Sequence, residues 1–145
     1  MFTTSCHCGA VRLEIGRPPR TLTQCNCSIC RRYGAIWSYH RRKAVKVVGR
    51  QDARRAYTWR GVREFYHCRR CGCITHYEHV RKKKDGTDTL AVNVRNVDQP
   101  DMVAMLPIRM LDGASTWKDL DRRPWPDLFG SPPAGARRPA SRAAS

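Results

Sequence analysis

Three cysteines lie within six consecutive positions of the sequence. They are Cys25, Cys27 and Cys30, in the stretch QCNCSICRRYG at residues 24–34. Cysteine thiolates are ligands for Zn²⁺, which prefers four ligands in a tetrahedron. A set of three is one ligand short, so either a distant residue completes it or the fourth position is open to water or substrate. A closed site is usually structural, whereas an open site can be catalytic.

Five further cysteines form two other clusters, Cys6 with Cys8 and Cys68 with Cys71 and Cys73. A C-x-x-C spacing lets a tight turn direct two sulfurs to one metal about 2.3 Å away, and Gly72 suits the positive φ that such a turn often needs. The pair at 6 and 8 must borrow ligands, and the pair at 68 and 71 complements it. A site of these four would be closed. It would join the first strand to a central hairpin and contribute roughly 10 kcal/mol to folding.

The eighth cysteine, Cys73, leaves two interpretations open. If it reached the cluster at residues 25–30, the second zinc site would be closed and the protein non-enzymatic. Alternatively, it is a small buried residue with no metal.

Five histidines accompany the cysteines. The alternation of a strand puts His76 and His79 on opposite faces, so we do not expect them to share a metal. His7 and His67 are adjacent to cysteines, and we expect them only to donate hydrogen bonds around the sulfur ligands. The sequence identifies no general acid or base.

The length of 145 residues suggests one domain with a single core of ordinary size. The N-terminus, MFTTS, lacks the charged and apolar regions of a secretion signal. No apolar run approaches the roughly 18 residues that span a bilayer. These features predict a soluble protein of the reducing cytoplasm with no membrane partner, where clustered cysteines more often bind metal than form disulfides.

The chain is strongly basic, with 28 Lys and Arg against 12 Asp and Glu and a net charge of +16. Seven thiolates around two Zn²⁺ ions change the charge by −3 and would leave about +13. Such an excess attracts phosphates, nucleic acid or small carboxylates, so weak non-specific nucleic-acid binding is one expectation. The other interpretation is a solvated basic surface without a function of its own.

Short apolar runs separated by turn signals predict a mainly β domain. The predicted strands are AVRLEI (10–15), AIWSYH (35–40), AVKVV (44–48), RAYTW (55–59), EFYHC (64–68), CITHYEH (73–79) and TLAVNV (89–94). Only short helices are expected, near residues 29–33 and 116–121. The stretch RKKKDGTD predicts an exposed loop that turns at Asp85-Gly86. We predict a domain at 1–129 and a disordered Pro/Ala/Arg-rich tail at 130–145.

The sequence resembles the glutathione-dependent formaldehyde-activating enzyme and centromere protein V family, which has an Mss4-like zinc-stabilised β fold. The stretches that match are SCHCGAVRLEI, CNCSICRRYGA, VKVVGRQDARRAYTW, REFYHCRRCG and LAVNVRNVDQP. They follow the order of the family from residue 3 to about residue 100. The combination of cysteine spacings is highly specific, although each stretch alone is weak.

The resemblance implies two zinc ions per chain. The first is structural, and its ligands are Cys6, Cys8, Cys68 and Cys71. The second is open to the thiol of glutathione, and its ligands are the catalytic residues Cys25, Cys27 and Cys30. The missing fourth ligand of the second site would then be the substrate.

The implied activity is that of a carbon–sulfur lyase that acts on S-hydroxymethylglutathione or a related thiol adduct. Making or breaking the C–S bond of this thiohemiacetal needs a stabilised thiolate and one proton moved to or from oxygen. Zinc is a Lewis acid that serves both needs. Glutathione carries two carboxylates, which nearby Arg31 and Arg32 could bind.

Two non-enzymatic functions compete with this one. The first is a basic module that associates with nucleic acid, supported by the charge, by RKKK at 81–84 and by the centromere branch of the family. The basic residues are nevertheless dispersed, and no recognition motif is present. The second is a zinc-stabilised protein-interaction domain that resembles the Mss4 chaperone.

Overall fold

The computed structural model describes residues 1–124, so the predicted tail at 130–145 lies outside the described residues. The described chain has eleven strands and one α-helix, named in chain order. They are β1 (Phe2–Ser5), β2 (Val11–Ile15), β3 (Leu22–Cys25), α1 (Ser28–Tyr33), β4 (Trp37–Arg41), β5 (Val45–Gly49), β6 (Arg54–Trp59), β7 (Arg63–Cys68), β8 (Ile74–His79), β9 (Thr89–Asn93), β10 (Pro107–Leu111) and β11 (Asp119–Pro124). Short 3₁₀ turns occupy Arg42–Ala44, Gln51–Ala53, Val94–Asn96 and Pro100–Met102.

The strands form two sheets. The small sheet has the order β1-β2-β5, and the large sheet has the order β11-β10-β3-β4-β9-β8-β7-β6. Neighbouring strands are antiparallel except β10 and β3, which pair in parallel. The fold is therefore mainly β, as the sequence predicts, and is consistent with an Mss4-like architecture. Of the helices in the described residues, none has the length and apolar character needed to cross a membrane.

The small sheet shows how alternation in the sequence sets the core. Val11, Leu13 and Ile15 of β2 are at most 1% exposed. The intervening Arg12 and Glu14 lie on the other face of the sheet, where they approach each other at 4.0 Å. Successive strand residues point to opposite faces, so the apolar set packs inward as a unit. β2 pairs with β1 on one side and with β5 on the other.

Every predicted strand run overlaps an observed strand, and the predicted helix at residues 29–33 is confirmed as α1. The prediction of a helix at residues 116–121 is wrong. Trp117 has a positive φ of 59° there, and β11 begins at residue 119 and pairs with β10. Two backbone hydrogen bonds, from Asp112 to the Lys118 carbonyl and from Trp117 to the Asp112 carbonyl, close a turn instead.

The predicted loop at residues 81–88 is also observed. Residues 81–85 are exposed, and the N–H of Gly86 donates to the Lys83 carbonyl at 3.1 Å with a positive φ of 66° at the glycine. This conformation suits glycine. The basic side chains of the loop are partly neutralised, because Lys82 lies 2.8 Å from Glu78 and 3.5 Å from Glu64.

Candidate metal centres

The first cysteine cluster lies between two hairpins. Cys6 and Cys8 lie in the turn between β1 and β2, and Cys68 and Cys71 lie at the turn between β7 and β8. Each turn contains a glycine with positive φ, 74° at Gly9 and 75° at Gly72. The second value bears out the conformation expected of Gly72. Since β1 and β2 belong to the small sheet and β7 and β8 to the large one, this cluster connects the two sheets.

The geometry of the first cluster fits a tetrahedral zinc ion. The sulfurs of Cys6, Cys8, Cys68 and Cys71 lie within 4.8 Å of one another. The Cys6 and Cys8 sulfurs are 3.7 Å apart, and those of Cys8 and Cys68 are 3.6 Å apart. Four sulfurs about 2.3 Å from one metal would be separated by about 3.8 Å. These separations exceed a disulfide bond length, and all eight cysteines are free thiols.

Cys73 lies beside the first cluster. Its carbonyl accepts a hydrogen bond of 2.9 Å from the N–H of Cys68, and its sulfur accepts one from the backbone N–H of His7. It is not among the sulfurs gathered around Cys25, Cys27 and Cys30. The interpretation in which Cys73 completes that set does not fit this geometry.

The second cluster is formed where β3 leads into α1. Cys25 ends the strand, Cys27 is the residue that precedes the helix, and Cys30 lies in the first helical turn. Residues three apart at the start of a helix lie on the same face. The three sulfurs are within 4.8 Å of one another and all three residues are buried, so the sequence correctly predicts that they come together.

Hydrogen bonds to sulfur organise the second cluster. The N–H of Cys27 donates to Cys25 at 3.4 Å, and the indole N–H of Trp37 donates to Cys30 at 3.2 Å. The Cys30 thiol also bonds to Cys25 and lowers the pKa of Cys25 to about 6, while the same bond and burial raise the pKa of Cys30. A divalent cation bound to these sulfurs would favour their deprotonated forms, because thiolates are the metal ligands.

A loop that sequence reasoning missed completes the surroundings of Cys25. The loop spans residues 112–118, between β10 and β11, and the N–H of Gly113 donates to the Cys25 sulfur. A methyl group on Gly113 would overlap that sulfur and lie 3.2 Å from the Cβ of Cys27. Only glycine fits this approach. The signal in the sequence was Asp112-Gly113, a turn dipeptide more than 80 residues from the cysteines.

Asn26 and Asp112 fasten this loop to the cysteine turn. The side-chain amide of Asn26 donates to Asp112 at 2.9 Å, and its oxygen accepts from the N–H of Ala114 at 2.9 Å. The Asp112 carboxylate also accepts from the backbone and hydroxyl of Thr116 at 3.1 and 2.8 Å. These donors, Asn26 first, lower the pKa of Asp112. A charged carboxylate with several donors fixes the loop against the cluster.

A cavity of about 320 Å³ adjoins the second cluster, within the range of small-molecule sites. It is lined by the three cysteines, and its guanidinium groups are those of Arg60 and Arg63. Arg31 and Arg32 were the arginines expected to bind the carboxylates of glutathione. Arg31 lines a smaller neighbouring cavity of about 180 Å³. Arg32 donates to the carbonyl of Ser28 at 2.7 Å. The larger cavity thus has a different pair of arginines from the predicted one.

The histidines lie outside both sulfur sets. His76 is buried and bonds to Thr75 at 2.9 Å, whereas His79 is half-buried and accepts from Arg63 at 2.9 Å. The two are thus in separate surroundings, as alternation predicts. The side chain of His7 is exposed, and only its backbone is bonded near the first cluster.

A small β protein with one four-cysteine and one three-cysteine set is the class of molecule that these observations define. The family model of the glutathione-dependent formaldehyde-activating enzyme matches residues 1–107. The chain therefore belongs to this enzyme family, in agreement with the resemblance seen in the sequence.

One solved structure gives an independent comparison. The crystal structure of a Rhodobacter sphaeroides protein, a structural genomics target, is 28% identical in sequence. It matches with a TM-score of 0.58 over 73% of this chain and 98% of that chain. Among curated proteins, none matches the chain significantly.

Proposed function

We propose that the protein is a zinc-dependent carbon–sulfur lyase of the cytoplasm that acts on S-hydroxymethylglutathione or a related thiol adduct. In this proposal Cys6, Cys8, Cys68 and Cys71 hold a structural zinc ion. Cys25, Cys27 and Cys30 hold a second zinc ion with one position open. The proposed domain comprises residues 1–129.

The observation that supports the proposal most strongly is the position of the three-cysteine set beside a cavity. A fourth protein sulfur is absent from this set among the described residues, and a cavity of about 320 Å³ adjoins the three that are present. A ligand in that cavity can bring its own sulfur to the set. The four-cysteine set, in contrast, has a full complement of thiolate ligands.

The main requirement of the reaction is that the protein stabilises the glutathione sulfur as a thiolate. When S-hydroxymethylglutathione is cleaved, the C–S bond breaks and sulfur keeps the electron pair. The hydroxyl proton leaves as the C=O bond of formaldehyde forms, and the glutathione thiol regains a proton on release. Bound zinc supplies a Lewis acid that stabilises the thiolate. The N–H groups of Cys27, Trp37 and Gly113 keep the cysteine sulfurs in place.

The described residues favour this function over nucleic-acid binding. The RKKK stretch that suggested a basic patch includes Lys82, which is paired with two glutamates. Arg42 is likewise paired with the buried Asp88 at 3.2 Å. These pairs remove part of the local positive charge that a phosphate backbone would need.

Exchange spectroscopy by NMR tests the activity directly. Glutathione and formaldehyde are mixed at equilibrium with their adduct, and the rate of interconversion is measured with and without protein. We expect the zinc-loaded protein to accelerate the exchange and Cys27→Ser to lose the acceleration while it stays folded. Wild-type exchange at the uncatalysed rate, with two zinc ions bound, would contradict the proposal.

A further inference from the structure

The cavity beside the three-cysteine set is unusually rich in aromatic rings for a site that would bind a polar tripeptide. Tyr39, Trp59, Phe65, Tyr77 and Trp117 all line it. Within residues 1–124 no carboxylate lines it, and the charged groups of the lining are two arginines. The cavity thus offers a broad apolar surface and a positive charge next to the sulfur cluster.

Several rings of the cavity lining contact one another. Phe65 and Tyr77 have ring centroids 4.8 Å apart, and Trp59 meets Phe65 edge-on at 6.5 Å. Tyr77 in turn meets the fully buried Trp37 edge-on at 4.8 Å. Edge-on and tilted contacts of this kind are favourable for aromatic pairs. The result is a preorganised wall that can receive another flat ring without first rearranging.

The lining also includes an exposed tryptophan in an uncommon backbone conformation. Trp117 is 61% exposed and has a φ of 59°. Within residues 1–124, Arg60 is the other non-glycine residue with positive φ, at 51°. Both residues line this cavity. Non-glycine residues in the left-handed region are uncommon, and they cluster at ligand sites where the surrounding structure holds them.

The turn at residues 112–118 holds the backbone of Trp117 close to the cysteines. The N–H of Trp117 donates to the Asp112 carbonyl at 2.8 Å, and Asp112 is itself tied to Asn26 beside the cysteines. The backbone of Trp117 is therefore held near the cysteines, and a Cβ at Gly113 would contact both the Cys25 sulfur and, at 3.4 Å, the Trp117 ring. A group attached to a sulfur brought to the cluster would share one cavity with Trp117 and the aromatic wall.

The geometry points to a substrate whose carbon side is larger than formaldehyde: a glutathione adduct that carries a flat, apolar group on the carbon next to sulfur. The flat group packs between Trp117 and the wall that contains Phe65, and the guanidinium groups of Arg60 and Arg63 face the carboxylates of the peptide. This inference rests on the proposed function, and it deepens that function by naming the class of carbonyl compound, an aromatic aldehyde.

Two stable thioethers isolate the contribution of the flat group. S-methylglutathione and S-benzylglutathione share the peptide and differ by one phenyl ring, and neither can react. Their dissociation constants for the zinc-loaded, full-length protein are measured by isothermal titration calorimetry. We expect S-benzylglutathione to bind at least about tenfold more tightly, because the ring is removed from water. The readout is binding and does not depend on activity.

Two variants separate Trp117 from a general effect of exposed aromatic rings. Trp117→Ala should abolish the preference for the benzyl compound. Tyr57→Ala is the matched control, because Tyr57 is 53% exposed and lies outside the lining of this cavity. It should keep the preference.

The outcomes distinguish the inference from the proposed function. Equal binding of the two compounds, or a benzyl preference that survives in Trp117→Ala, would overturn the inference. In that case acceleration of the glutathione–formaldehyde exchange would still support the proposed function. If neither compound binds and the exchange is not accelerated, both fail.

Discussion

Trp37 stabilises the second cysteine set through one polar atom of an otherwise apolar side chain. Its indole N–H lies 3.2 Å from the Cys30 sulfur, and the residue is fully buried. A donor aimed at sulfur favours the deprotonated form, which is the form that binds metal. Water cannot replace this donor at a buried position. We therefore expect this one hydrogen bond to contribute measurably to the metal affinity of the second set.

Removing that N–H should weaken the second zinc site selectively. We expect Trp37→Phe, which keeps an aromatic ring, to lower the zinc affinity of this site about tenfold. Affinity is measured by competition with a chromophoric chelator. Trp59→Phe is the matched control, because Trp59 lines the same cavity and its N–H has no sulfur partner among the described hydrogen bonds. Equal affinities in Trp37→Phe and wild type would rule out this role.

The surroundings of His76 favour the neutral form of its ring. The Thr75 hydroxyl donates to the Tyr66 carbonyl at 3.2 Å, so the 2.9 Å contact between Thr75 and His76 is a hydrogen bond donated by Nδ1–H. The ring stacks on Tyr66 with centroids 4.6 Å apart, and Nε2 is buried without a partner. Burial, with help from Arg54 and Lys82, lowers the pKa of His76 to about 3.

The lowered pKa makes stability depend on pH in a defined direction. The unfolded chain binds a proton at this histidine near pH 6.5, while the folded chain does not until about pH 3. The free energy of unfolding should therefore fall as pH drops below 6.5. Between pH 7 and pH 5, wild type should lose about 2 kcal/mol relative to His76→Phe. Denaturant titrations of both proteins measure this difference, and a pH-independent difference would contradict it.

At the scale of elements, the sequence predicted those parts of the site that are local in the chain. The turn and short helix that gather Cys25, Cys27 and Cys30 follow from spacing alone. Four observed strands were missed, namely β1, β3, β10 and β11. Of these, β3 and β11, with sequences LTQC and DLDRRP, lack an apolar alternation. They form because β10 lies between them in the large sheet and pairs with both, with β11 on one side and β3 on the other.

The loop at residues 112–118 was missed for a related reason. Its place against the cysteines depends on the pairing of β10 with β3, which aligns Leu111 with Cys25. A local sequence pattern cannot predict that Leu111 pairs with Cys25, because the two residues are 86 positions apart in the chain. The hydrogen bonds between Asn26 and Asp112 follow from that alignment, and they could be identified only once the two strands were placed together.

The close approach of this loop gives a sharp test at Gly113. A methyl group there would overlap the Cys25 sulfur, so Gly113→Ala must displace either the loop or the sulfur. We expect the zinc affinity of the second set to fall at least about tenfold, measured by chelator competition, while the first site is unaffected. Gly16→Ala is the matched control, since nothing lies within 4 Å of a Cβ at that position. Similar zinc affinities for the two variants would show that the loop does not constrain Cys25.

At the scale of the whole molecule, the two cysteine sets have different structural positions. The first connects the hairpin β1–β2 of the small sheet to the hairpin β7–β8 of the large sheet, with about 60 residues between its halves. The second is contained in one strand-to-helix turn. Gathering ligands across a long loop costs the unfolded chain more entropy than gathering them within a short turn, and metal that also binds the unfolded chain stabilises the fold less. Metal at the first set should therefore contribute much more to stability.

Single serine replacements test this asymmetry. Cys6→Ser should lower the free energy of unfolding by at least about 3 kcal/mol, because metal binding and folding are coupled across the two sheets. Cys27→Ser should lower it by about 1 kcal/mol or less and lose one zinc ion. Cys73→Ser should retain both ions. Thermal midpoints and zinc contents are measured for each variant. Equal destabilisation by Cys6→Ser and Cys27→Ser would show that both sets are structural.

The central claim is that the second metal has a position open to a thiol, and cobalt substitution tests it most directly. Sulfur-to-cobalt charge-transfer absorption reports the number of thiolates bound, so the cobalt-loaded protein is titrated with glutathione. The open site predicts two cobalt ions per chain and a rise in absorption that saturates at one glutathione per chain. Cys27→Ser should keep the cobalt of the first set and show no rise. An absorption that glutathione leaves unchanged in wild type would mean that the second site is closed.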